Sequence, residues 1–124
     1  MSDIAFVCGS VTFPTKFHGE VTLSERKWND ICAKPERQYY RYNGDKVATT
    51  LVTPDYVRQH RLEKSQFLYY KQFETFKLSE GTGVSLRAKF MAVVLDTTTQ
   101  RVCTVYPVDK PKSGKEYRPA GGGS

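Results

Sequence analysis

The sequence predicts an α+β domain in which N-terminal helices pack on an antiparallel β-meander of about four strands. Two observations support this prediction. A helix start signal lies in the first quarter of the chain, and after Pro54 the pattern becomes a succession of short, β-rich segments. Hydrophobic residues make up 39% of the 124 residues and aromatic residues 13%, which is enough for a compact core. We therefore expect one domain over residues 1–109, followed by a flexible, basic and glycine-rich tail over residues 110–124.

The N-terminal part predicts a strand followed by a helix. Apolar residues alternate over Lys16–Leu23, which is typical of a strand. Thr22–Glu25 has the Ser/Thr-x-x-Glu pattern of a capping box, with Thr22 at the N-cap. The helix that it opens is about ten residues long and ends at Lys34–Pro35, because the residue before proline disfavours the α conformation. The residues with the spacing to share one face of this helix are Trp28, Ile31 and Cys32.

The segment Val47–Val52 is compatible with two structures. Its β-branched residues favour a strand, whereas its short length before Thr53–Pro54 fits a two-turn helix that proline ends. We favour the helix. The preceding segment, Gln38–Tyr42, is aromatic and basic, and Asn43–Gly44 is a strong turn signal.

The β-rich segments follow one another with short connections, which predicts an antiparallel meander. The last two lie on either side of a short polar stretch, Asp96–Gln100, and form a predicted hairpin. This hairpin leads into a lysine-rich stretch that would bring positive charge beside its threonine and tyrosine residues. The predicted strands are Tyr56–Arg58, Phe67–Phe73, Val84–Leu95 and Val102–Tyr106, with a loop at Ser79–Gly83.

The charge of the chain favours a polyanionic partner. Nineteen Lys and Arg residues against thirteen Asp and Glu residues give a net charge of +6, and the pI is near 9.3. Such an excess is compatible with nucleic acid or with a membrane surface. However, no apolar run is long enough to span a bilayer, and the N-terminus lacks the layout of a signal peptide. We therefore predict a cytoplasmic protein with no membrane partner, for which RNA is the first candidate ligand.

The sequence contains no pattern for a metal, a nucleotide-binding loop or a disulfide framework. Its three cysteines, Cys8, Cys32 and Cys103, are widely spaced and have apolar neighbours, so we predict three small buried hydrophobic side chains. No cluster of His, Asp, Glu or Cys has metal-ligand spacing, and neither glycine motif for phosphate binding is present. We therefore predict that the protein uses neither a metal ion nor an organic cofactor.

Five short motifs occur in a fixed order over most of the chain, from about Val21 to Lys112. They are a helix that ends in Lys-Pro-Glu, a Thr-Pro-Asp-x-Val step, a Tyr-Tyr-Lys strand, a Val-rich strand and a final Thr-x-Tyr strand. This order resembles the barnase/EndoU/colicin/RelE-like superfamily of small ribonucleases, in particular its phage-associated branch. The resemblance implies RNA as the substrate and an antitoxin, immunity or host protein as a possible partner. The matching residues are Trp28–Ile31 with Lys34–Glu36, Val52–Val57, Leu68–Lys71, Phe90–Val94 and Thr104–Tyr106.

The chain departs from this family in the helix that matters most for catalysis. The family helix carries two histidines, the second directly before a Pro-Glu step, and these fall on Asp30 and Lys34 here. If the resemblance holds, the chain either cleaves RNA without these imidazoles or is a degenerate relative that does not cleave. RelE-like members use lysine, arginine and tyrosine instead, so both alternatives stay open.

RNA cleavage by attack of the 2′-hydroxyl needs a base, cations that stabilise the pentavalent phosphate, and an acid for the leaving 5′ oxygen. Free tyrosine and lysine have pKa values of about 10 and about 10.4, which clustered positive charge lowers. Strand alternation places Thr104 and Tyr106 on one face. The candidate catalytic residues are Lys34, Arg58, His60, Lys71, Thr104 and Tyr106. The candidate RNA-binding residues, which would stack on bases or pair with phosphates, are Arg37, Tyr40, Arg41, Tyr70, Lys110 and Lys112.

Several of these residues also have a purely structural interpretation. Lys34 is a favourable cation at a helix C-terminus, Arg58 and His60 fit a solvated basic patch, and Tyr70 and Tyr106 fit ordinary strand positions. The sequence alone therefore leaves open whether the chain is an enzyme.

Three functions are compatible with the sequence. The first is a metal-independent endoribonuclease of toxin or phage type. The second is a degenerate ribonuclease-fold module that binds RNA or a protein, as an inhibitor or adaptor, without cleavage. The third is a phage-type protein whose basic face docks onto an acidic partner.

Overall fold

The computed structural model describes residues 4–74, 76 and 89–108, which have an α+β fold. The α+β class that the sequence predicts is confirmed. The described elements are β1 (Ser10–Pro14), β2 (Glu20–Ser24), α1 (Glu25–Ala33), a 3₁₀ helix (Pro35–Tyr42), α2 (Asp45–Val52), β3 (Tyr56–Gln59), β4 (Gln66–Phe73), β5 (Lys89–Asp96) and β6 (Arg101–Val108). The predicted loop Ser79–Gly83 and the predicted tail 110–124 lie outside the described residues.

The described strands form one mixed sheet in the order β1-β2-β6-β5-β4-β3. Strands β3 to β6 make an antiparallel meander. The sheet is larger than this meander, because β1 and β2 form a hairpin that extends it beyond β6. β2 joins β6 in the parallel direction, with Thr22 opposite Arg101, and the Thr22 N–H donates to the Gln100 carbonyl at 2.9 Å. The expectation of about four antiparallel strands is therefore corrected to a mixed sheet of six described strands.

A turn occupies the first half of the segment Lys16–Leu23, which the sequence predicts to be one strand. The chain reverses over residues 15–19 before β2 begins. Gly19 has a φ of +69°, in the left-handed region that glycine enters without steric cost. The N–H and the hydroxyl of Thr15 both donate to the Gly19 carbonyl, at 2.8 and 2.6 Å, and close the turn. Only the second half of the alternating segment is therefore a strand.

Helix α1 begins two residues later than the capping-box pattern predicts. Its N-cap is Ser24, whose Oγ accepts the Lys27 N–H at 3.0 Å, because Thr22 still belongs to β2. The helix has nine residues and stops before Pro35, with Lys34 in an extended conformation as its C-cap. The buried residues along one face are Trp28, Ile31 and Cys32, as predicted.

The segment Val47–Val52, for which the sequence allows helix or strand, is helical. Helix α2 buries Val47 and Leu51, and the buried hydroxyl of Thr50 donates to the Lys46 carbonyl at 2.7 Å. Burial at helical spacing outweighs the β preference of its valines and threonines. Like α2, every other helix of the described residues falls short of the length and apolar character needed to cross a bilayer.

The two faces of the sheet carry separate hydrophobic clusters. On the first face, strand residues such as Tyr69 and Val93 join Trp28 of α1 and Leu51 of α2 in the main core. The second face carries a smaller cluster, against which Tyr106 packs. Alternation along β4 and β5 produces this division, because successive side chains point to opposite faces. The buried residues of the second cluster are Leu68, Tyr70, Phe90, Ala92 and Val94.

An irregularity in the pairing of β5 with β6 decides which β6 residues reach the second face. Thr104 pairs with Val94, while Val102 pairs with the next residue of β5, so Cys103 is an extra residue in β6. Val102 stays in the main core, and Tyr106 packs in the second cluster. This β-bulge therefore changes the face on which β6 presents its side chains.

The loop between β1 and β2 is fixed to the meander through His18 and Tyr69. The Tyr69 hydroxyl accepts the Phe17 N–H at 3.2 Å and lies 2.6 Å from Nδ1 of His18. One of these two atoms donates a hydrogen bond to the other, and the tautomer of the imidazole decides which one does. The His18 ring packs on Phe67 with ring centres 4.1 Å apart, and burial lowers the pKa of His18. The Gln100 side chain, which donates to the His18 carbonyl at 2.9 Å, links the same loop to the β5–β6 turn.

Lowering the pH should destabilise the wild-type chain more than a His18→Asn variant. The folded-state pKa of His18 lies below its ordinary value of 6.5, so the unfolded chain takes up a proton first as the pH falls. The stability that neutral His18 contributes is complete above the unfolded pKa and is lost as the pH falls through the folded one. Asparagine keeps an amide that can donate or accept a hydrogen bond near the position of Nδ1, and it does not titrate.

The role of His18 is tested by measuring the urea concentration at the midpoint of unfolding, at about pH 7.5 and at about pH 5.5. The difference between the two midpoints should be smaller for His18→Asn than for the wild type, because His60 and the carboxylates are common to both proteins. Equal differences would contradict this role.

Candidate functional site

A cavity of about 930 Å³ opens on the second face of the sheet, at the end of β3. Ligand sites in proteins typically have volumes of about 300–1,000 Å³, so this cavity can accommodate a group of the size of a nucleotide. Residues of the 3₁₀ helix, β3, the β3–β4 loop, β4, β5 and β6 surround it. Its described cationic and polar lining residues include Arg37, Arg58, His60, Arg61, Gln66 and Thr104.

The cavity is strongly cationic. Arg37, Arg58 and Arg61 line it together with His60, and the described lining residues include no Asp or Glu. The three arginines come from different elements, namely the 3₁₀ helix, β3 and the β3–β4 loop. Guanidinium groups are always protonated, and their planar N–H donors match phosphate and carboxylate oxygens. The cavity therefore suits an anionic ligand with several oxygens.

Arg37 reaches the cavity from the 3₁₀ helix and contacts β6. Its Nη1 donates to the Thr104 hydroxyl at 3.3 Å, and its guanidinium carbon lies 5.6 Å from the centre of the Tyr106 ring. Attraction between a guanidinium and an aromatic face limits the rotamers that the arginine adopts. Its backbone N–H donates to the Lys34 carbonyl at 2.9 Å, which fixes the start of the helix. Arg37 is therefore oriented before a ligand binds.

Arg58 is oriented by a similar contact within β3. Its guanidinium carbon lies 5.2 Å from the centre of the Tyr56 ring, and Tyr56 packs on Phe90 of β5 with ring centres 5.9 Å apart. Arg58 pairs with Leu68 across β3 and β4, which puts both side chains on the second face. Aromatic contacts thus orient two of the three described cavity arginines.

His60 directly follows β3 and holds the β3–β4 loop through its ring. Nδ1 of His60 accepts the N–H groups of Leu62 and Glu63, at 3.1 and 3.0 Å. A ring nitrogen that accepts hydrogen bonds carries no proton, so the neutral imidazole has its proton on Nε2. His60 can therefore donate a hydrogen bond from Nε2, while the backbone occupies its other nitrogen.

The floor of the cavity is apolar. Leu68 and Val94 are buried, and Tyr70, which also lines the cavity, is buried completely. An apolar floor beside guanidinium groups suits a ligand in which a flat or apolar part is joined to an anion.

The three cysteines differ in exposure, which corrects the prediction that all are buried. Cys32 is buried and Cys103 is half-buried, but Cys8 is exposed because it lies in a turn, with a φ of +53°. Cys103, the extra residue of the β-bulge, lines the cavity. Burial raises the pKa of its thiol, the charge of Asp96 raises it further, and Lys27 opposes this in part. The thiol is therefore held in its protonated form, which is a weak nucleophile.

The structure brings together six of the residues that the sequence identifies as candidates. Strand alternation and the bulge place the β6 residues, whereas Arg37 arrives through the packing of the 3₁₀ helix. From the predicted catalytic set, the cavity contains Arg58, His60, Thr104 and Tyr106, and from the predicted RNA-binding set it contains Arg37 and Tyr70.

Lys71 lies on the other face of the sheet. It pairs with Met91 of the main core, so its side chain leaves β4 on the helix side, and its Nζ lies 3.7 Å from a carboxylate oxygen of Asp55. The expected grouping of Lys71 with Arg58 is therefore corrected. Neighbours along a strand alternate in face, and in β4 it is Tyr70 that reaches the cavity.

The other predicted site residues lie apart from the cavity or outside the described part of the chain. Lys34 is exposed at the end of α1, and Tyr40 is fully buried in the main core, because the 3₁₀ helix turns it inward against Phe76. Arg41 donates to the Asn29 side chain at 2.7 Å on the helix surface. Outside the described residues lie Lys110 and Lys112.

Sequence reasoning missed Arg61 and Cys103 as cavity residues. The signal for Arg61 was its position just after Arg58 and His60, which the sequence allowed to be a solvated basic patch. Nothing in the sequence marks Cys103, because strand pairing alone defines a bulge. Over residues 4–74, 76 and 89–108, no three His, Cys, Asp or Glu side chains are placed to hold a metal ion.

Alkylation should modify the cysteines in a fixed order, with Cys8 first, Cys103 second and Cys32 last. At about pH 7.5, Cys103 should react at least about tenfold more slowly than exposed Cys8, because its raised pKa leaves less thiolate. Its rate should rise as the pH increases toward the thiol pKa. Timed reaction with iodoacetamide, followed by peptide mass spectrometry, measures all three rates. A Cys103 that reacts as fast as Cys8 would show that the thiol is not held protonated.

Comparisons with protein-family models, with curated proteins and with solved structures found no match for this chain. The resemblance to small ribonucleases therefore stays a prediction from the sequence motifs.

Proposed function

We propose that this chain is a ribonuclease-like protein that binds the phosphodiester backbone of an unpaired RNA strand in its cavity. The observation that supports the proposal best is the arrangement of Arg37, Arg58 and Arg61 around one space, with no carboxylate among the described lining residues. Three cations around one space repel each other. A polyanion removes this repulsion and releases counterions when it binds.

RNA fits the remaining features of the cavity better than a small anion does. At about 930 Å³, the space is much larger than a phosphate group, and its floor at Leu68 and Val94 is apolar. A nucleotide places an apolar base next to a charged phosphate, which matches a floor of this kind beside guanidinium groups. Bases of an unpaired strand can turn out and enter such a space, whereas those of a duplex stay stacked. The net charge of +6 acts in the same direction.

Cleavage of the bound strand is the second candidate, and one observation favours it. Tyr106 has the guanidinium of Arg37 over its ring, and the Thr104 hydroxyl accepts a hydrogen bond from the same guanidinium. A tyrosine placed beside the phosphate is one of the side chains that serve as a base for the 2′-hydroxyl. The reaction would join the 2′ oxygen to phosphorus and break the bond to the 5′ oxygen, which must then receive a proton.

Binding ranks above cleavage because the cavity supplies oriented cations more clearly than groups that transfer protons. Lys71 lies on the other face of the sheet, and two backbone amides occupy Nδ1 of His60. Of the predicted catalytic residues at the cavity, Tyr106 and His60, through its Nε2–H, are then left to transfer protons. Binding requires neither of them to change its protonation state.

Replacing Arg37 or Arg58 by glutamine should weaken binding to a short single-stranded RNA about five- to thirtyfold. Each substitution removes a phosphate contact worth about 1–2 kcal/mol. The plot of log affinity against log salt concentration should also become shallower by about 0.7. Fluorescence anisotropy with a labelled oligonucleotide at several salt concentrations measures both effects.

Lys71→Gln is the matched control, because it removes one positive charge from the opposite face of the same sheet. It should change the affinity by less than about twofold, since screening weakens distant charges. If it weakens binding as much as Arg58→Gln does, the RNA is held by diffuse charge and the cavity is not its site. A wild-type chain that binds no RNA would overturn the proposal and favour an acidic antitoxin, immunity or host protein as the partner.

Incubation of the purified chain with total RNA in the presence of EDTA should leave the RNA intact at stoichiometric protein concentration, because we rank binding above cleavage. Gel electrophoresis detects fragments, and end analysis detects the 2′,3′-cyclic phosphates that attack by the 2′-hydroxyl leaves. Fragments that disappear in Tyr106→Phe, while the variant keeps its RNA affinity, would reverse the ranking and make the chain an endoribonuclease.

A further inference from the structure

Hydrogen bonds fix both ends of the loop that joins β3 to β4. The His60 N–H donates to the Gln66 carbonyl and the Gln66 N–H donates to the Glu63 carbonyl, each at 2.9 Å. Ser65 is tied to the β5–β6 turn, because the N–H and the hydroxyl of Thr97 donate to its carbonyl at 2.8 and 3.0 Å. The base of the loop is therefore anchored to two neighbouring elements of the fold.

The ring of His60 holds the tip of the same loop, and beside it the Gln59 side chain donates to the Lys64 carbonyl at 2.8 Å. Leu62 and Glu63 donate their N–H groups to Nδ1, so the imidazole accepts from the second and third residues after it. An Asp or Asn side chain commonly does this in loops. Leu62 is 84% exposed, so packing of its side chain contributes little to the conformation of the tip. Arg61 lies between these groups and lines the cavity.

We propose that His60 is a positioning residue, whose Nδ1 fixes the loop tip and thereby holds the Arg61 guanidinium at the cavity. This role differs from the acid or base role that the sequence suggests, because the ring presents only its Nε2–H to a ligand. The ligand groups that Arg61 would meet are phosphate oxygens of an RNA strand, so this part of the inference rests on the proposed function. The role of His60 in the loop does not depend on RNA.

Two substitutions separate the loop contact from the imidazole itself. His60→Asn keeps an acceptor for the two tip amides, whereas His60→Ala removes it. In the free protein, exchange of the Leu62 and Glu63 amides with solvent should be at least about tenfold faster in His60→Ala and close to the wild-type rate in His60→Asn. NMR measures these rates, and the amides of β4 and β5 report whether the fold is intact. Unchanged exchange in His60→Ala would overturn the positioning role.

RNA affinity tests whether His60 acts through Arg61. His60→Ala and Arg61→Gln should each weaken binding of a labelled single-stranded oligonucleotide about three- to tenfold, and the double variant should be within about twofold of the weaker single one. His60→Asn should recover most of the wild-type affinity. Two results would overturn the inference and give the imidazole a direct contact with RNA. One is that the losses of the two single variants add up in the double variant. The other is that His60→Asn does not restore the affinity although its tip amides stay protected from exchange. If the wild type does not bind RNA, the proposed function fails, while the exchange experiment still decides the role of His60 in the loop.

Discussion

One extra residue in β6 is the constraint on which the cavity depends. Cys103 has no partner on β5, so the alternation of side chains restarts after it. Val102 and Val105 can then both pack in the main core, while Thr104 and Tyr106 line the cavity. In a regular strand, residues 102 and 104 would share a face, and keeping Thr104 at the cavity would take Val102 out of the core. The bulge therefore allows one strand to serve an apolar core and a polar site together.

The order of the elements could be predicted because its signals are local. Pro35 ends α1, and the succession of short β-rich segments after Pro54 marks the meander. The face of each strand could not be predicted from β4, because it carries four consecutive buried residues and has no polar side there. The sequence therefore groups Lys71 with Arg58 as a candidate catalytic residue, whereas the structure puts Lys71 on the other face of the sheet. The pairing of β2 with β6 was also missed, since it joins segments far apart in the chain through few contacts.

The cavity also depends on the contact between Arg37 and Thr104, which no local sequence pattern predicts. Arg37 enters it from the 3₁₀ helix, where neither strand nor α-helical periodicity applies. The positions that correspond to the family histidines, Asp30 and Lys34, are exposed on α1 and are not among the described lining residues. Among the motif residues on which the predicted resemblance to ribonucleases rests, Thr104 and Tyr106 line the cavity, whereas Lys34 is not among the described lining residues.

The arginines by themselves do not separate binding from cleavage, because the same cations stabilise a bound phosphate and a phosphorane. The difference lies in the groups that transfer protons. In the described cavity, the backbone occupies Nδ1 of His60, and burial keeps the Cys103 thiol protonated. Tyr106 beside Arg37 and the Nε2–H of His60 are the groups left to transfer protons, and binding requires neither of them to change its protonation state. Groups that bind the ground state and the transition state equally tightly do not accelerate the reaction. The cavity therefore supports the proposal that the chain retains an RNA strand without cleaving it.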